Sequence, residues 1–426
     1  MESTNILIKK AKIVDPNSPF NQQVVDVWIS NDQIVKIGKN LKVKADEIID
    51  LKNIHLSPGW FDLRANFCDP GHEEREDLES GIHAAIFGGF TAVALSPDTY
   101  PSINGKAQIE YVYQKAEDFP VNVLPMGNIS KNLEGKELSE MYDMFQAGAV
   151  GFSEAKNSLN NAALLKLALL YGKEFAPAPH IFCNESNLAK NGQMHEGVTS
   201  TTLGLKGIPA LAEEISLLRN LHLAKYCECP LHIMGVASKE AVKILKQAQK
   251  DKITHSADVA WCNLLFTDKT TQNYDANYKV LPPLRSESDR KALVKAVING
   301  HIKAITSDHS PVDIENKLCE FEQAQFGMIG LEAMFGALGL LREEGLTLEK
   351  IIECISINPR NILNLPVASI SEGSWAELTL FDPDLEWAFE KEHIQSKSKN
   401  TPLIGQKLKG RALGIINKGM LVLMPT

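Results

Sequence analysis

From residue 57 onward, runs of apolar and β-branched residues alternate with stretches in which apolar residues recur three and four positions apart. The first pattern suits parallel strands buried on both faces, and the second suits helices that cover them. Eight runs read as strands, at 59–64, 90–96, 121–128, 149–154, 180–185, 230–237, 253–260 and 303–308. Helical periodicity covers 79–87, 161–171, 210–224, 239–249 and 288–299, several of these ending near Gly or Pro. Eight such units in about 300 residues predict an α/β fold of the (β/α)8 TIM-barrel type, whose active site would lie at the C-terminal ends of the strands.

The two ends of the chain read differently. Residues 6–8, 13–14, 24–29, 34–37 and 48–51, then 377–381, 410–416 and 420–423, are short alternating runs separated by turn residues. Neither end alone makes a sheet of convincing size. The two are therefore expected to pair into one small β-sandwich, a composite domain of 1–56 and 370–426 beside a barrel of 57–369. The stretch around Trp387 shows no clear period.

Composition narrows the function without naming it. The 426 residues are 44% hydrophobic and 23% charged, enough for a large core. The net charge of -9 comes without a long basic run, which disfavours nucleic acid and anionic membrane surfaces as partners. No stretch approaches the ~18 apolar residues of a membrane span, and the first residues lack the basic and apolar regions of a signal peptide, so a cytoplasmic location is expected. Seven cysteines, at 68, 183, 227, 229, 262, 319 and 354, are odd in number and scattered, as suits reduced thiols. Cys227 and Cys229 have no second ligand pair at zinc-finger spacing and read as packing.

Motifs carry the sharper signal. Asp62, Pro70 and Gly71 form the frame of D-x-H-x-H-x-R-x-P-G, with Arg64, Asn66 and Cys68 in place of the two histidines and the arginine. Ser57-Pro58-Gly59, Gly88-Gly89-Phe90-Thr91, the run 280–285 (VLPPLR), the run 306–311 (TSDHSP), the run 327–332 (GMIGLE), the run 356–360 (SINPR), the run 372–383 (EGSWAELTLFDP) and Asn400-Thr401-Pro402 follow in order. Together they resemble the dihydroorotase and hydantoinase branch of the amidohydrolase superfamily over nearly the whole chain.

That resemblance implies hydrolysis or formation of a cyclic amide with one or two divalent metals, which polarise the carbonyl and supply hydroxide. The ligand positions it assigns are altered. Arg64 and Asn66 replace the H-x-H pair, and an arginine has no lone pair for a metal. The bridging ligand falls at or beside Glu154, a family histidine becomes Cys183, and the H-V-S/T histidine becomes Gly235. Asp308 keeps the metal-binding and general-base position, here a relic carboxylate, with His309 after it as a packing or hydrogen-bonding residue. His232, three residues before Gly235, is expected on the opposite face of its strand. The substrate positions change too: Cys68 replaces the carboxylate-gripping arginine, Asp98 and Leu281 replace asparagines, and Val312 replaces a histidine.

A metal-free, catalytically inactive dihydroorotase-like protein with a structural or regulatory role in pyrimidine biosynthesis is the expectation. The alternative is an active cyclic amidohydrolase holding one zinc between Cys183, Glu154 and Asp308. Without a metal, Glu154 and Asp308 need neutralising, so the Arg64 guanidinium is expected beside one of them. The resemblance further implies assembly with aspartate carbamoyltransferase, and a homodimer is expected.

Overall fold

In the computed structural model, residues 5–425 are described. The N-terminal segment forms β1 (Ile6–Ile13), β2 (Val24–Ser30), β3 (Gln33–Gly38), β4 (Glu47–Ile49) and β5 (His55–Pro58). The parallel strands follow: β6 (Trp60–Ala65), β7 (Phe90–Leu95), β8 (Asn122–Pro125), its continuation β9 (Gly127–Asn128), β10 (Phe152–Ser153) and β11 (His180–Phe182). A small pair, β12 (Met194–His195) and β13 (Gly207–Ile208), precedes β14 (Leu231–Met234), β15 (His255–Ala260) and β16 (Ala304–Thr306). The chain ends with β17 (Leu378–Phe389), β18 (Gln406–Asn417) and β19 (Met420–Leu423).

Within 57–369 every pairing between successive long-range strands is parallel: β6 with β7, β7 with β8, β9 with β10, then β11, β14, β15 and β16 in order. A parallel bridge between Ala65 and His309 brings the segment after β16 beside the end of β6. Asn66 N–H donates to His309 O at 2.9 Å in the same place. Inward residues Phe61, Leu63, Ala92, Ala94 and Ala304 pack with Met126 and Leu363.

The covering helices begin and end where local chemistry dictates. Asp77 caps Leu78–Gly88 through a capping box with Ser80, and Gly89 ends it at φ +86°. Ser286 and Asp289 make the same reciprocal cap on Glu287–Ile298. Several parallel strands are shorter than their apolar runs, because the chain turns left-handed directly after them: φ is +50° at Ala155, +61° at Gly235 and +48° at Asp308. The hydrophobic run reports burial, and the strand stops where the backbone turns.

The chain ends meet in one sheet, ordered β19-β18-β17-β5-β1-β2-β3 with β4 on β1. The joint is the antiparallel pairing of β17 with β5, which sets Leu380 opposite Leu56. Ile8, Ile13, Val27, Leu56, Leu378 and Ile416 share a core of their own beneath it. The Trp387 stretch lies in β17, whose register against β18 shifts between Asp382 and Glu386, and Pro383 in this interval hides the period. Trp387 is held by its Nε1–H donating to Gly410 O at 3.0 Å.

Candidate functional site

Arg64 is the penultimate residue of β6 and is buried, at 6% exposure. Its Nε donates to Asp308 Oδ1 at 2.9 Å, and its Nη2 lies 3.2 Å from Asp258 Oδ1 and donates to Thr306 Oγ1 at 3.1 Å. The other oxygen of Asp308 accepts from Lys156 Nζ at 2.9 Å, and Lys156 also reaches Ser310 Oγ at 3.2 Å. Asp258, from β15, further accepts the Gly235 N–H at 2.8 Å and faces His232 Nε2 at 3.0 Å. Two buried carboxylates thus meet two protein cations, the condition under which buried charge is tolerated.

The electrostatics follow from this packing. Burial works against the Arg64 charge, but Asp258, Asp308 and Asp62 outweigh it and hold the guanidinium proton more firmly than water does. Burial likewise opposes ionisation of Asp258, yet Arg64 and the His232 hydrogen bond keep its carboxyl below the usual range. His180 stacks on His232 at 4.2 Å between ring centroids. Burial first, then His232 and Arg64, push its pKa well down, so it is neutral.

Left-handed backbone directs these groups. The turn at Ala155 buries Glu154 against Ser130, whose Oγ donates to Glu154 Oε2 at 2.7 Å, and sends Lys156 to Asp308 instead. Burial raises the Glu154 pKa, against the Ser130 hydrogen bonds. Gly235 matters for what it lacks. A Cβ there would stand 3.2 Å from Pro282 Cδ and 3.6 Å from Arg64 Nη2, so a longer side chain and the guanidinium compete for one space.

Of the two residues expected beside Arg64, Asp308 is there and Glu154 is not. Asn66 turns back on its own loop, its Oδ1 accepting from Cys68 N–H at 2.7 Å. Cys183 faces the helix Ala210–Cys227, where Asn220 Nδ2 lies 3.4 Å from its sulfur, and burial pushes its thiol up to about 12. Cys183, Glu154 and Asp308 therefore do not converge. Cys68 is buried, and burial, then Asp98 and Glu76, raise its pKa. Asp98 accepts from Ser96 Oγ, Leu281 is half-buried beside Pro282, and Val312 lines a cavity of about 1010 Å3 next to the loop after β16. His309 Nδ1 accepts the Gly330 and Leu331 N–H groups at 3.2 and 3.4 Å, leaving Nε2–H toward Glu76 at 3.4 Å.

His232 corrects the expectation. It points to Asp258 and the site, because the alternation that would turn it away ends at Met234 and does not run through left-handed Gly235. Asp258 and Lys156 were not singled out from sequence. Asp258 left a signal, an acid inside a buried strand, whereas Lys156 looked like any loop lysine.

Against this geometry, known proteins give a consistent comparison. The family described as dihydro-orotase-like matches residues 54–241. A dihydroorotase of Geobacter metallireducens is 36% identical over 98% of this chain and 99% of its own length. The chain belongs to the dihydroorotase family. A dihydroorotase of Thermoanaerobacter sp. is 35% identical over 95% of this chain and 94% of its own. Among solved structures, the L-hydantoinase of Arthrobacter aurescens superposes with a TM-score of 0.87 at 20% identity, covering 99% of this chain and 96% of that one. A D-hydantoinase gives 0.81 at 21% identity, covering 98% and 95%.

The residues of this dihydroorotase-family chain do not fit the metal the family implies. Arg64 carries no lone pair, the Asn66 oxygen is used by its own loop, Gly235 offers no donor atom, and Asp308 is taken by two cations. Among the described residues, no group of three His, Cys, Asp or Glu side chains converges to hold a metal ion. Among them, too, no helix is long and apolar enough to cross a membrane.

Proposed function

We propose that this chain keeps the dihydroorotase fold without metal-assisted hydrolysis, and serves pyrimidine biosynthesis as a structural or regulatory protein of the cytoplasm. One observation carries the reading: the Arg64 guanidinium spans Asp258 and Asp308, with Lys156 on the remaining Asp308 oxygen. The charge a divalent ion would supply comes instead from two side chains that cannot polarise a carbonyl and bind hydroxide together. The parallel strand order and the Ala65–His309 bridge support a closed (β/α)8 barrel, and the joined chain ends support a β-sandwich beside it. The dihydroorotase names of the full-length relatives support the pathway. Aspartate carbamoyltransferase is the partner proposed from family resemblance.

Elemental analysis of the purified protein, with a dihydroorotate hydrolysis assay before and after zinc or manganese addition, tests this. The expected outcome is sub-stoichiometric metal and no turnover above the protein-free rate. Stoichiometric metal together with turnover would overturn the proposal in favour of an active cyclic amidohydrolase.

A further inference from the structure

A cavity of about 250 Å3 opens where the chain enters β15 and β16, on the face of the parallel layer opposite the turns at Gly235 and Asp308. Gln249, Lys252, His255, Gly300, His301 and Lys303 line it. The helices Lys239–Lys250 and Glu287–Ile298 both end here, and left-handed backbone at Lys252 (φ +58°) and Gly300 (φ +70°) turns the chain from each helix toward the next strand. A Cβ on Gly300 would stand 3.7 Å from Lys303 Nζ, which places that ammonium over the rim.

In a chain of net charge -9, this corner is positive. Nearer the start of the same two helices, Lys243 pairs with Glu240 at 3.7 Å and Lys291 with Glu287 at 3.5 Å. By contrast, Lys246, Lys250, Lys252 and Lys303 pair with no carboxylate among the described residues, and no acid lines the cavity. The acid nearest in sequence, Asp251, has its Oδ1 occupied by Gln247 Nε2–H at 2.9 Å. The two helix C-termini contribute roughly half a negative charge each, so with Asp251 about two negative charges stand against four ammonium groups. The cations win.

Two half-buried histidines make the corner selective. His255 Nδ1–H donates to Ile253 O at 2.8 Å, and His301 Nδ1–H to Gln249 Oε1 at 3.1 Å. These bonds leave Nε2 as the free nitrogen of each ring, without a partner among the described residues. Burial, then Lys246 and Lys303, lower the His301 pKa with no carboxylate opposing them, so its ring is neutral near neutral pH. A neutral ring among ammonium groups calls for a ligand that is negative and also donates a proton. A phosphate group, whose second proton titrates at about 6, meets both conditions. Sulfate and carboxylates, fully ionised near neutral pH, meet only the first. Size agrees: at ~30 Å3 per water the cavity holds about eight waters, enough for a phosphate and the first atoms of what it is esterified to.

We propose that this cavity binds a phosphate group, with Lys252 and Lys303 holding its charge and His301 Nε2 accepting its remaining proton. The site lies at the strand starts, away from the strand ends where (β/α)8 barrels place their active sites. The inference stands apart from the reading of the Arg64 site.

Isothermal titration calorimetry of the full chain near neutral pH, in phosphate-free buffer, tests it with inorganic phosphate, glycerol 3-phosphate and sulfate as probes. One equivalent of a phosphate probe is expected to bind, with sulfate at least tenfold weaker. Tighter binding of glycerol 3-phosphate assigns the site to a phosphorylated metabolite, and equal or weaker binding assigns it to the free ion. Because both lysines are exposed, Lys252→Gln/Lys303→Gln should keep its circular dichroism spectrum while binding phosphate at least tenfold more weakly. His301→Phe should bring phosphate down to the level of sulfate, a change that lost charge alone would not produce. No binding of either phosphate probe at millimolar concentration, sulfate binding as tightly as phosphate, affinity unchanged by the double substitution, or a phosphate preference that survives His301→Phe would each overturn the proposal.

Discussion

At the scale of single residues, the informative quantity is the pairing of buried charge. Arg64 has 6% exposure and sits between Asp258 at 1% and Asp308 at 6%, so none of the three can turn to water for solvation. Removing one member of such a set leaves the others uncompensated. Arg64→Met is expected to destabilise the fold by about 3–5 kcal/mol, read from urea unfolding midpoints. Adding Asp308→Asn should recover part of that loss, since one orphaned charge disappears with it. If Arg64→Met alone cost less than about 1 kcal/mol, as an exposed pair would, the guanidinium would not be neutralising the carboxylates.

At the scale of elements, strand ends decide which side chains reach the site. Cys68, Ala155, Gly235 and Asp308 are all left-handed, and each sits where a strand gives way to a loop. A non-glycine residue in this region holds strain of about 1–3 kcal/mol, retained only where surroundings over-determine the conformation. Gly235 avoids that cost and leaves the space that Arg64 and Pro282 fill. Gly235→Ala should therefore lose about 1–2 kcal/mol through the left-handed φ alone, measurable by the same unfolding assay. Gly235→His should lose more, because its ring would contend with the guanidinium for the same volume. An unchanged midpoint for Gly235→His would show that the crowding argument is wrong. The apolar runs announced every one of these strands, yet none revealed where the backbone would turn, because turning depends on contacts between strands distant in sequence.

At the scale of the whole molecule, one tie between the ends of the parallel layer runs through a carboxyl with an unusual proton affinity. Asp62, in β6, accepts from the Ser307 N–H at 2.8 Å and from the Ser307 hydroxyl, tying the first strand to the segment after the last. Burial raises its pKa to about 7, against the Ser307 hydrogen bonds and the charge of Arg64. The folded state thus holds this proton more tightly than the unfolded chain, whose carboxyl titrates near 3.8. The stabilisation from protonation is full below the unfolded value, declines by up to ~1.4 kcal/mol per pH unit above it, and is gone once the pH has risen through 7. Asp62→Asn cannot titrate, so the stability difference between wild type and variant should shrink from about pH 5 to 7 and then level off. Unfolding midpoints at each pH check this, and a constant difference would refute it. The second large tie is apolar: Trp60 of the parallel layer packs on Phe335 at 4.4 Å and on Phe381 of β17 at 5.5 Å between ring centroids.

The buried strand runs, five of the covering helices and the family were legible in the sequence, because burial patterns and residue identity are local properties, whereas helices such as Lys106–Ala116 and Met334–Leu340 were not read from it. Also legible was a carboxylate partner for Arg64, expected to be Asp308 or Glu154 and found to be Asp308, since a buried guanidinium needs a counter-charge. Only the tertiary structure decided that Asp258 and Lys156 complete the site, that Glu154 turns to Ser130, and that His232 faces inward. Those outcomes rest on φ values at strand ends and on contacts between different strands, from 24 positions apart for Glu154 and Ser130 to 194 for Arg64 and Asp258, which no local pattern encodes.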